Sequence, residues 1–322
     1  MSQLEIDRES IEAFLDDAPK KYKVYQIPKR RLGYRTIAHP AKMLKRYQRA
    51  FLQAYPLPFH PRAMAYITGR SIKCNAMLHR EQPYLLKMDF QNFFNSITPV
   101  ALIEMIKKVS KDAKLPLTQE ERESLSALNR VVIEERIWFK KLLFWSKSRT
   151  INRHLMLSIG APTSPSLSNL YLYLFDHLIT TFCDQHQIIY SRYADDLFFS
   201  THIRELLWGI PDKVNEILQK EYRNILQINE EKTLFASKKG GRFVTGITIN
   251  NQNELSLGRA RKRYIKHLVH QFRLENLSRE DIDHLKGLLA FSQDIEPLFI
   301  ERLAQKYSPE ILQEIKEYQY GV

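Results

Sequence analysis

The Tyr-Ala-Asp-Asp sequence at residues 193–196 limits the fold more than any other feature of the chain. It stands between the apolar runs 188–190 and 197–199, which have the composition of β-strands. The pattern predicts a β-hairpin that carries Asp195 and Asp196 at its tip. Adjacent carboxylates repel each other unless a divalent cation or a basic group neutralises them. The hairpin tip is therefore a candidate metal site, although an Asp pair is also common in solvated turns.

A third acid, Asp89, ends another apolar run at residues 84–88. Carboxylates, together with substrate phosphates, are the ligands that Mg²⁺ prefers. Three acids on neighbouring strands can hold two metal ions for in-line nucleotidyl transfer. The alternative for Asp89 is a helix cap or a surface acid at the end of a strand.

The charge of the chain favours a polyanionic partner. Its 49 Lys and Arg residues exceed its 36 Asp and Glu residues, giving a net charge of +13. Clusters of basic residues beside aromatic ones can hold backbone phosphates while the aromatic rings stack on bases. Any one such cluster also fits a solvated face. The clusters lie at 20–23, 29–31, 140–153 and 259–273.

The cysteine content and hydropathy point to a reducing compartment and away from membranes. Cys74 and Cys183 are far apart and have no spacing typical of zinc or disulfide frameworks. The N-terminus has no secretion signal pattern, and no apolar stretch reaches the roughly 18 residues that cross a bilayer. The sequence predicts a soluble cytoplasmic protein with no membrane partner.

The order of predicted elements indicates an α+β domain. A short helix near Ile11 and Phe14 precedes a basic hairpin of two strands over residues 22–40. Between residues 83 and 222 the order is strand, helix, insertion, helix, hairpin and helix, which resembles a split βαβ unit or an α+β palm. The helices begin at Thr98-Pro99, at Ser164-Pro165 and from Pro211.

We predict three regions with different patterns. Residues 1–82 contain the N-terminal helix and the basic hairpin. Residues 83–250 form the palm, with a polar insertion near 111–155 that we expect to be a surface elaboration. Residues 251–322 show helical periodicity alone and predict a small domain of three helices.

With these features in place, the chain resembles the reverse transcriptases, and among them the bacterial retron enzymes. The resemblance covers nearly the whole chain. It implies a right-hand polymerase in which residues 1–82 form the fingers and residues 251–322 an RNA-binding thumb. The matching blocks are Pro28-Lys29, Arg35-Thr36-Ile37, Asn75-Ala76-Met77-Leu78-His79, Asp89-Phe90-x-x-Phe93-Phe94, Gly160-Ala161-Pro162-Thr163-Ser164-Pro165, Tyr193-Ala194-Asp195-Asp196, Asn229 through Lys232-Thr233 and Val244-Thr245-Gly246.

The resemblance implies a role for each matched residue. Asp89, Asp195 and Asp196, with the backbone of Phe90, would bind two Mg²⁺ ions, for which Mn²⁺ is an alternative. The nucleotide-binding residues would be Lys29, Arg35, Phe94, Gly160 and Lys232. Lys29 and Arg35 would grip the triphosphate, Phe94 would exclude a 2′-hydroxyl, Gly160 would offer its main chain and Lys232 would act near the pyrophosphate.

One block departs from the pattern of the family. Many members have Pro-Gln before the glycine, whereas this chain has Ser158-Ile159. A hydrogen bond from a glutamine side chain to the nucleotide therefore does not carry over, and only the main-chain contact of Gly160 does.

A further set of residues would contact RNA. Asn75 and His79 lie four apart, on one face of a helix, and their role in the family is structural or in RNA recognition. The second retron block and the basic helix near residue 259 would bind structured RNA by its shape, its loops and its 2′-hydroxyls. The set is Asn75, His79, Val244, Thr245, Gly246, Arg259, Arg261, Lys262, Arg263 and Lys266.

The resemblance also implies a substrate and partners. The enzyme would copy a cognate non-coding RNA into branched DNA from an internal 2′-hydroxyl, consume dNTPs and keep its DNA product bound. A host ribonuclease H would trim the template, and an effector protein would join the complex in antiphage defence. The alternatives are a group II intron or diversity-generating reverse transcriptase, and a non-catalytic RNA-binding scaffold on the same fold.

Overall fold

The structure is a computed structural model, and it describes residues 14–28, 33–134, 136–146 and 155–319. The chain forms two compact units. The first contains residues 1–70 and 86–234, and the second contains residues 71–85 and 235–322. Helices and antiparallel strands occur in both units, which confirms the predicted α+β class.

The first unit begins with the basic hairpin. Strands β1 (Tyr22–Pro28) and β2 (Tyr34–Pro40) pair antiparallel, with Tyr22 opposite Pro40 and Pro28 opposite Tyr34. This confirms the predicted strand pair. Residues 14–17 are helical, as expected, whereas Ile11 and the hairpin turn with Lys29 lie outside the described residues.

Helices make up most of the regular secondary structure described in the first unit. The predicted starts at Thr98-Pro99 and near Pro211 are confirmed, and the Thr98 hydroxyl accepts a hydrogen bond from the Ala101 amide at 3.3 Å. The helix that begins at Ser164 ends at Tyr171, and a second helix follows it. The helices are Lys42–Ala54, Phe93–Ser96, Pro99–Lys111, Gln119–Glu134, Arg136–Leu143, Ser164–Tyr171, Tyr173–Gln185 and Ile210–Tyr222, with 3₁₀ turns at Ala18–Lys20, Leu206–Gly209 and Glu230–Lys232.

Three neighbouring strands position the acids in the first unit. They are β3 (Tyr84–Asp89), β6 (Ile189–Tyr193) and β7 (Asp196–Thr201), in the order β6-β7-β3. The short strands β4 (Trp145–Ser146) and β5 (Leu155–Met156) pair separately.

Aromatic rings fill the core next to these strands. Phe90 stacks on Phe93 at 5.7 Å and meets Phe175 edge-on at 5.7 Å, while Tyr190 lies 5.1 Å from Phe199. These large buried rings fix the ends of β3 and β6 against the helix Tyr173–Gln185, because each ring buries a large apolar area.

The segment 111–155 is not only a polar elaboration. Its helix Gln119–Glu134 packs against the helix Pro99–Lys111 and buries Leu125, Leu128 and Val132 completely. These residues recur at helical spacing, but the charged residues at the start of the helix make the segment as a whole polar in composition. The segment therefore contributes to the core of the first unit.

The second unit contains one helix more than predicted. Its described C-terminal part has four helices after residue 258, Arg259–Arg273, Arg279–Ile295, Pro297–Tyr307 and Pro309–Glu317. The expected starts after Ser278 and Ser308 are confirmed, since both hydroxyls cap their helices. The helix Pro297–Tyr307 was not predicted.

A small sheet and one earlier helix complete the second unit. Strands β9 (Arg242–Val244), β10 (Ile247–Ile249) and β11 (Leu255–Ser256) pair in the order β11-β10-β9. The helix Ile72–His79 packs on β9 and β10, and strand β8 (Leu234–Ser237) neighbours β3, whose first residues belong to this unit.

In the described ranges, no helix is both long enough and apolar enough to cross a lipid bilayer.

Candidate active site

Main-chain hydrogen bonds bring the three predicted acids to one edge of the sheet. The Phe90 amide donates to the Asp195 carbonyl at 3.0 Å, so the end of β3 is tied to the hairpin tip. On the other side of β3, the Asn229 amide donates to the Asp89 carbonyl at 2.7 Å. Because backbone bonds fix these positions, the proximity of the acids does not depend on side-chain rotamers.

The hairpin has the predicted tip. Tyr193 pairs with Asp196, leaving Ala194 and Asp195 as the turn residues between β6 and β7. Ala194 has a φ of 57°, in the left-handed region that side chains disfavour. This strained backbone places Asp195 beside Asp89.

The pKa shifts of Asp195 and Asp196 show that the three acids lie close enough to influence one another. Burial raises the pKa of Asp195, and the nearby Asp89 charge raises it further. Burial also raises the pKa of Asp196 to about 6, although Lys87 opposes the shift. Asp89 is 5% exposed. Crowded, buried carboxylates of this kind attract cations.

Two lysines neutralise part of this charge. The Lys232 ammonium lies 2.7 Å from Asp89 Oδ1, and the Lys87 ammonium lies 2.8 Å from Asp196 Oδ1. The sequence predicted Lys232 at the site, whereas Lys87 was missed. The sequence feature that could have indicated Lys87 is a lysine inside the apolar strand β3, between the buried residues Leu86 and Met88.

The carboxylates fit a divalent cation in their chemistry, but not in their present orientation. Within the described ranges, no group of three or more His, Cys, Asp or Glu side chains is arranged to hold a metal ion. The expected cage of Asp89, Asp195 and Asp196 is therefore not formed as these side chains stand, because Asp89 and Asp196 face lysines. Carboxylate oxygens that lie close enough to shift one another's pKa nevertheless suit a hard cation such as Mg²⁺.

A cavity of about 410 Å³ in the first unit contains two of the predicted nucleotide-binding residues. Phe94 and Gly160 line it, together with Tyr66 and Ser158. Arg35 lies close enough for its charge to lower the pKa of Asp195. The structure thus brings Arg35 towards the acids, while Lys29 lies outside the described residues.

A glycine is needed at position 160 because the backbone there has a positive φ and packs closely against strand β2. Its φ is +123°, and a Cβ at this position would lie 3.1 Å from the Ala38 carbonyl oxygen in β2. The Ala38 amide in turn donates to the Ile159 carbonyl at 3.1 Å. The glycine therefore lets this block dock on the basic hairpin. Ser158, two residues before the glycine, is fully buried.

A second, cationic cavity adjoins the first. It measures about 660 Å³ and shares His39, Lys45 and Arg49 with the first cavity. Most of its remaining lining comes from the predicted basic cluster at 20–23 and from Lys42. This concentration of positive charge suits the phosphates of a nucleic-acid strand.

A buried polar network supports the hairpin tip, and it was not predicted. Arg192 and Asp176 are completely buried and form an ion pair, with Arg192 Nη2 2.6 Å from Asp176 Oδ2. Arg192 Nη1 donates to the Ala194 carbonyl and to Asn169 Oδ1, each at 3.1 Å. The Tyr190 hydroxyl donates to Asp176 Oδ1 at 2.7 Å. The network thus holds the residue that precedes Asp195.

The residues of the two retron blocks lie together in the second unit, mostly buried. Asn75, His79 and Val244 are inaccessible to solvent. The Thr245 hydroxyl donates to the Ile72 carbonyl at 3.1 Å, and the Gly246 carbonyl accepts from Arg261 at 3.3 Å. These contacts join the second block to the helix Ile72–His79, which carries the first block, and to the basic helix.

The cations of the basic helix Arg259–Arg273 fall into two groups, those exposed to solvent and those that contact other side chains of the protein. Arg259, Arg263 and Lys266 are exposed. Lys262 instead forms an ion pair with Glu296 at 2.9 Å, while the Arg261 guanidinium lies 5.1 Å from the centre of the Phe291 ring. The exposed cations are therefore the ones that a partner can reach.

Comparisons with known proteins identify the family of the chain. The family model "Reverse transcriptase (RNA-dependent DNA polymerase)" matches residues 27–249. The chain is 42% identical to the Retron Ec83 reverse transcriptase of Escherichia coli over 93% of this chain and 91% of that protein. It is 31% identical to the Retron Ec73 reverse transcriptase of Escherichia coli, over 91% and 89% of the two chains.

A longer relative shows the same similarity. The chain is 29% identical to the Retron Mx65 reverse transcriptase of Myxococcus xanthus over 90% of its own length and 65% of that protein. The retron prediction is thus confirmed over the group II intron and diversity-generating alternatives. The α+β polymerase fold predicted from the sequence is confirmed with it.

The family match spans the three acids, the cavity lined by Phe94 and Gly160, and both retron blocks, and the relatives named above are all reverse transcriptases. Together these findings assign the activity as well as the fold. The chain belongs to the retron reverse transcriptases and is an RNA-directed DNA polymerase.

Proposed function

We propose that this reverse transcriptase copies a cognate structured non-coding RNA into branched, multicopy single-stranded DNA, which it primes from a 2′-hydroxyl of that RNA. The observation that carries the proposal is the backbone bond between Phe90 and Asp195, which places the acids of two distant motifs side by side. The retron relatives support the mode of priming.

Asp89, Asp195 and Asp196, with the Phe90 backbone, are the groups that would hold two Mg²⁺ ions, or Mn²⁺ in their place. When bound, such ions lower the pKa of the attacking hydroxyl and neutralise the leaving pyrophosphate. Lys232 and Lys87 balance the negative charge of Asp89 and Asp196 within the protein. An acid that turns towards a cation would release its lysine towards the substrate phosphates.

The nucleotide would lie in the cavity that Phe94 and Gly160 line. Phe94 would exclude a 2′-hydroxyl, and the Gly160 main chain would contact the base pair. Arg35, together with Lys29, would grip the triphosphate, because guanidinium forms forked contacts with phosphate oxygens. Lys232, whose ammonium group donates a hydrogen bond to Asp89, would donate a proton towards the pyrophosphate.

The RNA would bind both units. The cationic cavity of about 660 Å³ would hold template phosphates next to the nucleotide. In the second unit, the exposed residues Arg259, Arg263 and Lys266 would contact the structured RNA. Asn75, His79, Val244, Thr245 and Gly246 would shape that surface from within, since most of them are buried or bonded to the fold.

The complex would act in the cytoplasm, where its RNA is transcribed. A host ribonuclease H would trim the template, the DNA product would stay bound, and an effector protein would join the complex in antiphage defence. These partners rest on the resemblance to retron enzymes.

The test is to purify the protein from cells that carry its native locus and to sequence the nucleic acid that copurifies with it. We expect DNA of defined length joined to RNA, and a debranching enzyme should separate the two. The matched control is the Asp195→Asn plus Asp196→Asn variant, which should copurify with RNA alone. DNA in the variant, or DNA without a branch in the wild type, would refute the proposal.

A further inference from the structure

Tyr66 has a backbone conformation that its residue type disfavours. Its φ is 65°, in the left-handed region that is normal for glycine and costly for a large side chain. The neighbouring chain is held firmly in this place. The Asn169 side chain donates to the Ala65 carbonyl at 3.1 Å, and the Met64 amide donates to the Arg192 carbonyl at 2.7 Å. The strain is thus maintained by bonds to buried residues.

This conformation points the Tyr66 ring into the nucleotide cavity. Tyr66 and Phe94 line the same cavity, and their ring centres lie 6.4 Å apart with an interplanar angle of 61°. This edge-to-face contact is an attractive arrangement for two aromatic rings. The Tyr66 ring therefore limits the positions that the Phe94 ring can adopt.

The Tyr66 hydroxyl is available to a ligand. Across the part of the chain that the structure describes, no protein group forms a hydrogen bond with it, and Tyr66 is 51% exposed. A tyrosine hydroxyl is protonated at neutral pH, so it can both donate and accept a hydrogen bond here.

We propose that Tyr66 is a second specificity-determining residue for the nucleotide sugar. Its ring positions Phe94, and its hydroxyl hydrogen-bonds the sugar of the incoming nucleotide. The inference rests on the proposed location of the nucleotide beside Phe94. It explains why a strained tyrosine stands where glycine would fit the backbone.

The test uses substitutions that separate the ring from the hydroxyl. Tyr66→Gly removes the ring and also relieves the backbone, so this variant should melt no lower than the wild type. Tyr66→Phe keeps the ring and removes only the hydroxyl. Phe94→Ala tests the proposed sugar site itself, and Trp208→Ala controls for the loss of an exposed aromatic residue elsewhere in the first unit.

The readout is single-nucleotide incorporation on an RNA template, with kcat and KM measured for dNTPs and for rNTPs. We expect Tyr66→Gly to lower discrimination against rNTPs by roughly tenfold. Tyr66→Phe should keep the discrimination within about twofold and raise the KM for dNTPs about threefold to tenfold, the effect of one lost hydrogen bond. Trp208→Ala should behave as the wild type.

The outcomes distinguish this inference from the proposed function. If Phe94→Ala loses discrimination while Tyr66→Gly keeps it, the inference is refuted and the proposed nucleotide site stands. If neither variant changes discrimination, the nucleotide lies elsewhere and both fail. A Tyr66→Gly variant that melts well below the wild type would contradict the strain argument, and unchanged kinetics of Tyr66→Phe would refute the role of the hydroxyl.

Discussion

Asp89, Asp195 and Asp196 occupy positions that favour function over local stability. Burial and mutual repulsion raise the pKa of Asp195 and Asp196, and Ala194 has a left-handed backbone that alanine disfavours. The protein offsets these costs with a lysine beside Asp89, another beside Asp196, and the main-chain bond from Phe90. Strained and buried polar groups of this kind cluster at active sites.

Gly160 offers a test at the scale of one residue. Gly160→Ala combines a φ of +123° with a Cβ 3.1 Å from the Ala38 carbonyl oxygen, so we expect a loss of about 1 to 3 kcal/mol in the free energy of unfolding. Gly287→Ala is the matched control. It lies in the helix Arg279–Ile295 with nothing within 4 Å of the added Cβ, and should stabilise by about 0.5 to 1 kcal/mol.

Urea unfolding of both glycine variants checks these signs. Equal effects of Gly160→Ala and Gly287→Ala would show that the backbone of Gly160 is not held against the hairpin.

His60 predicts a pH dependence of stability. Burial lowers its pKa from 6.5 to about 4, and its Nδ1 accepts a hydrogen bond from the Arg62 amide at 3.2 Å. The folded protein therefore holds the neutral ring. As the pH falls below 6.5 the unfolded chain binds the proton first, so stability is lost between pH 6.5 and about 4, by up to about 1.4 kcal/mol per pH unit.

The His60→Asn variant keeps the hydrogen-bond acceptor and removes the titrating ring. Urea unfolding at pH 7 and pH 4.5 should show a smaller loss for this variant than for the wild type, and His202→Gln, at an exposed site, should match the wild type. An identical loss for His60→Asn and the wild type would mean that His60 titrates normally.

At the scale of elements, the hairpin β6–β7 is supported by the buried network of Arg192 and Asp176. Asp176→Asn leaves the Arg192 charge buried without its partner, so we expect a loss of about 3 to 5 kcal/mol in the free energy of unfolding. The double variant Asp176→Leu plus Arg192→Met removes both charges and should regain part of this loss.

Activity separates support of the hairpin tip from stability alone. The Asp176→Leu plus Arg192→Met variant lacks the donor to the Ala194 carbonyl, so it should incorporate nucleotides slowly even where it folds. Denaturation curves combined with single-nucleotide incorporation measure both effects. Wild-type activity in a folded double variant would exclude the network from positioning the tip.

The helix Arg259–Arg273 predicts different effects for its exposed and paired cations. Arg263→Ala and Lys266→Ala should each weaken RNA binding and lower the slope of log affinity against log salt by about 1. Lys262→Ala should leave the slope unchanged and lower the melting temperature, because Lys262 is paired with Glu296. Filter binding over a salt series checks this, and equal slopes for all three variants would contradict it.

The elements that could be predicted from the sequence have local signals. The helix starts at Thr98-Pro99 and Ser308-Pro309 were predicted because their caps act over a few residues. The helix Pro297–Tyr307 was missed, although Pro297 in its first turn is a local signal, because the preceding residue Glu296 is not a usual cap and is held by distant contacts. The Glu296 carboxylate accepts bonds from Ser256 and from the Leu257 amide. No local pattern encodes such contacts.

For the whole molecule, the same distinction separates the predicted part of the site from the rest. The acids lie in recognisable sequence motifs, and the strand pattern predicted that they would lie close together. No motif marks Lys87, Arg192 or Asp176, because their roles depend on the register of strands and helices far apart in sequence. The buried retron blocks show the same limit, since the sequence did not reveal that Val244 is in the core.

The central claim is that Asp89 and Asp195, from two distant motifs, form one catalytic site. The direct test is the rate of single-nucleotide incorporation on an RNA template, in Mg²⁺, by Asp89→Asn, Asp195→Asn and the double variant, with melting temperatures as the control for folding. Residues that act as a unit lose activity non-additively. We predict that each single variant is slower by about a thousandfold or more and that the double variant is no slower than either. A single variant with near wild-type activity, or losses that multiply in the double variant, would contradict the claim.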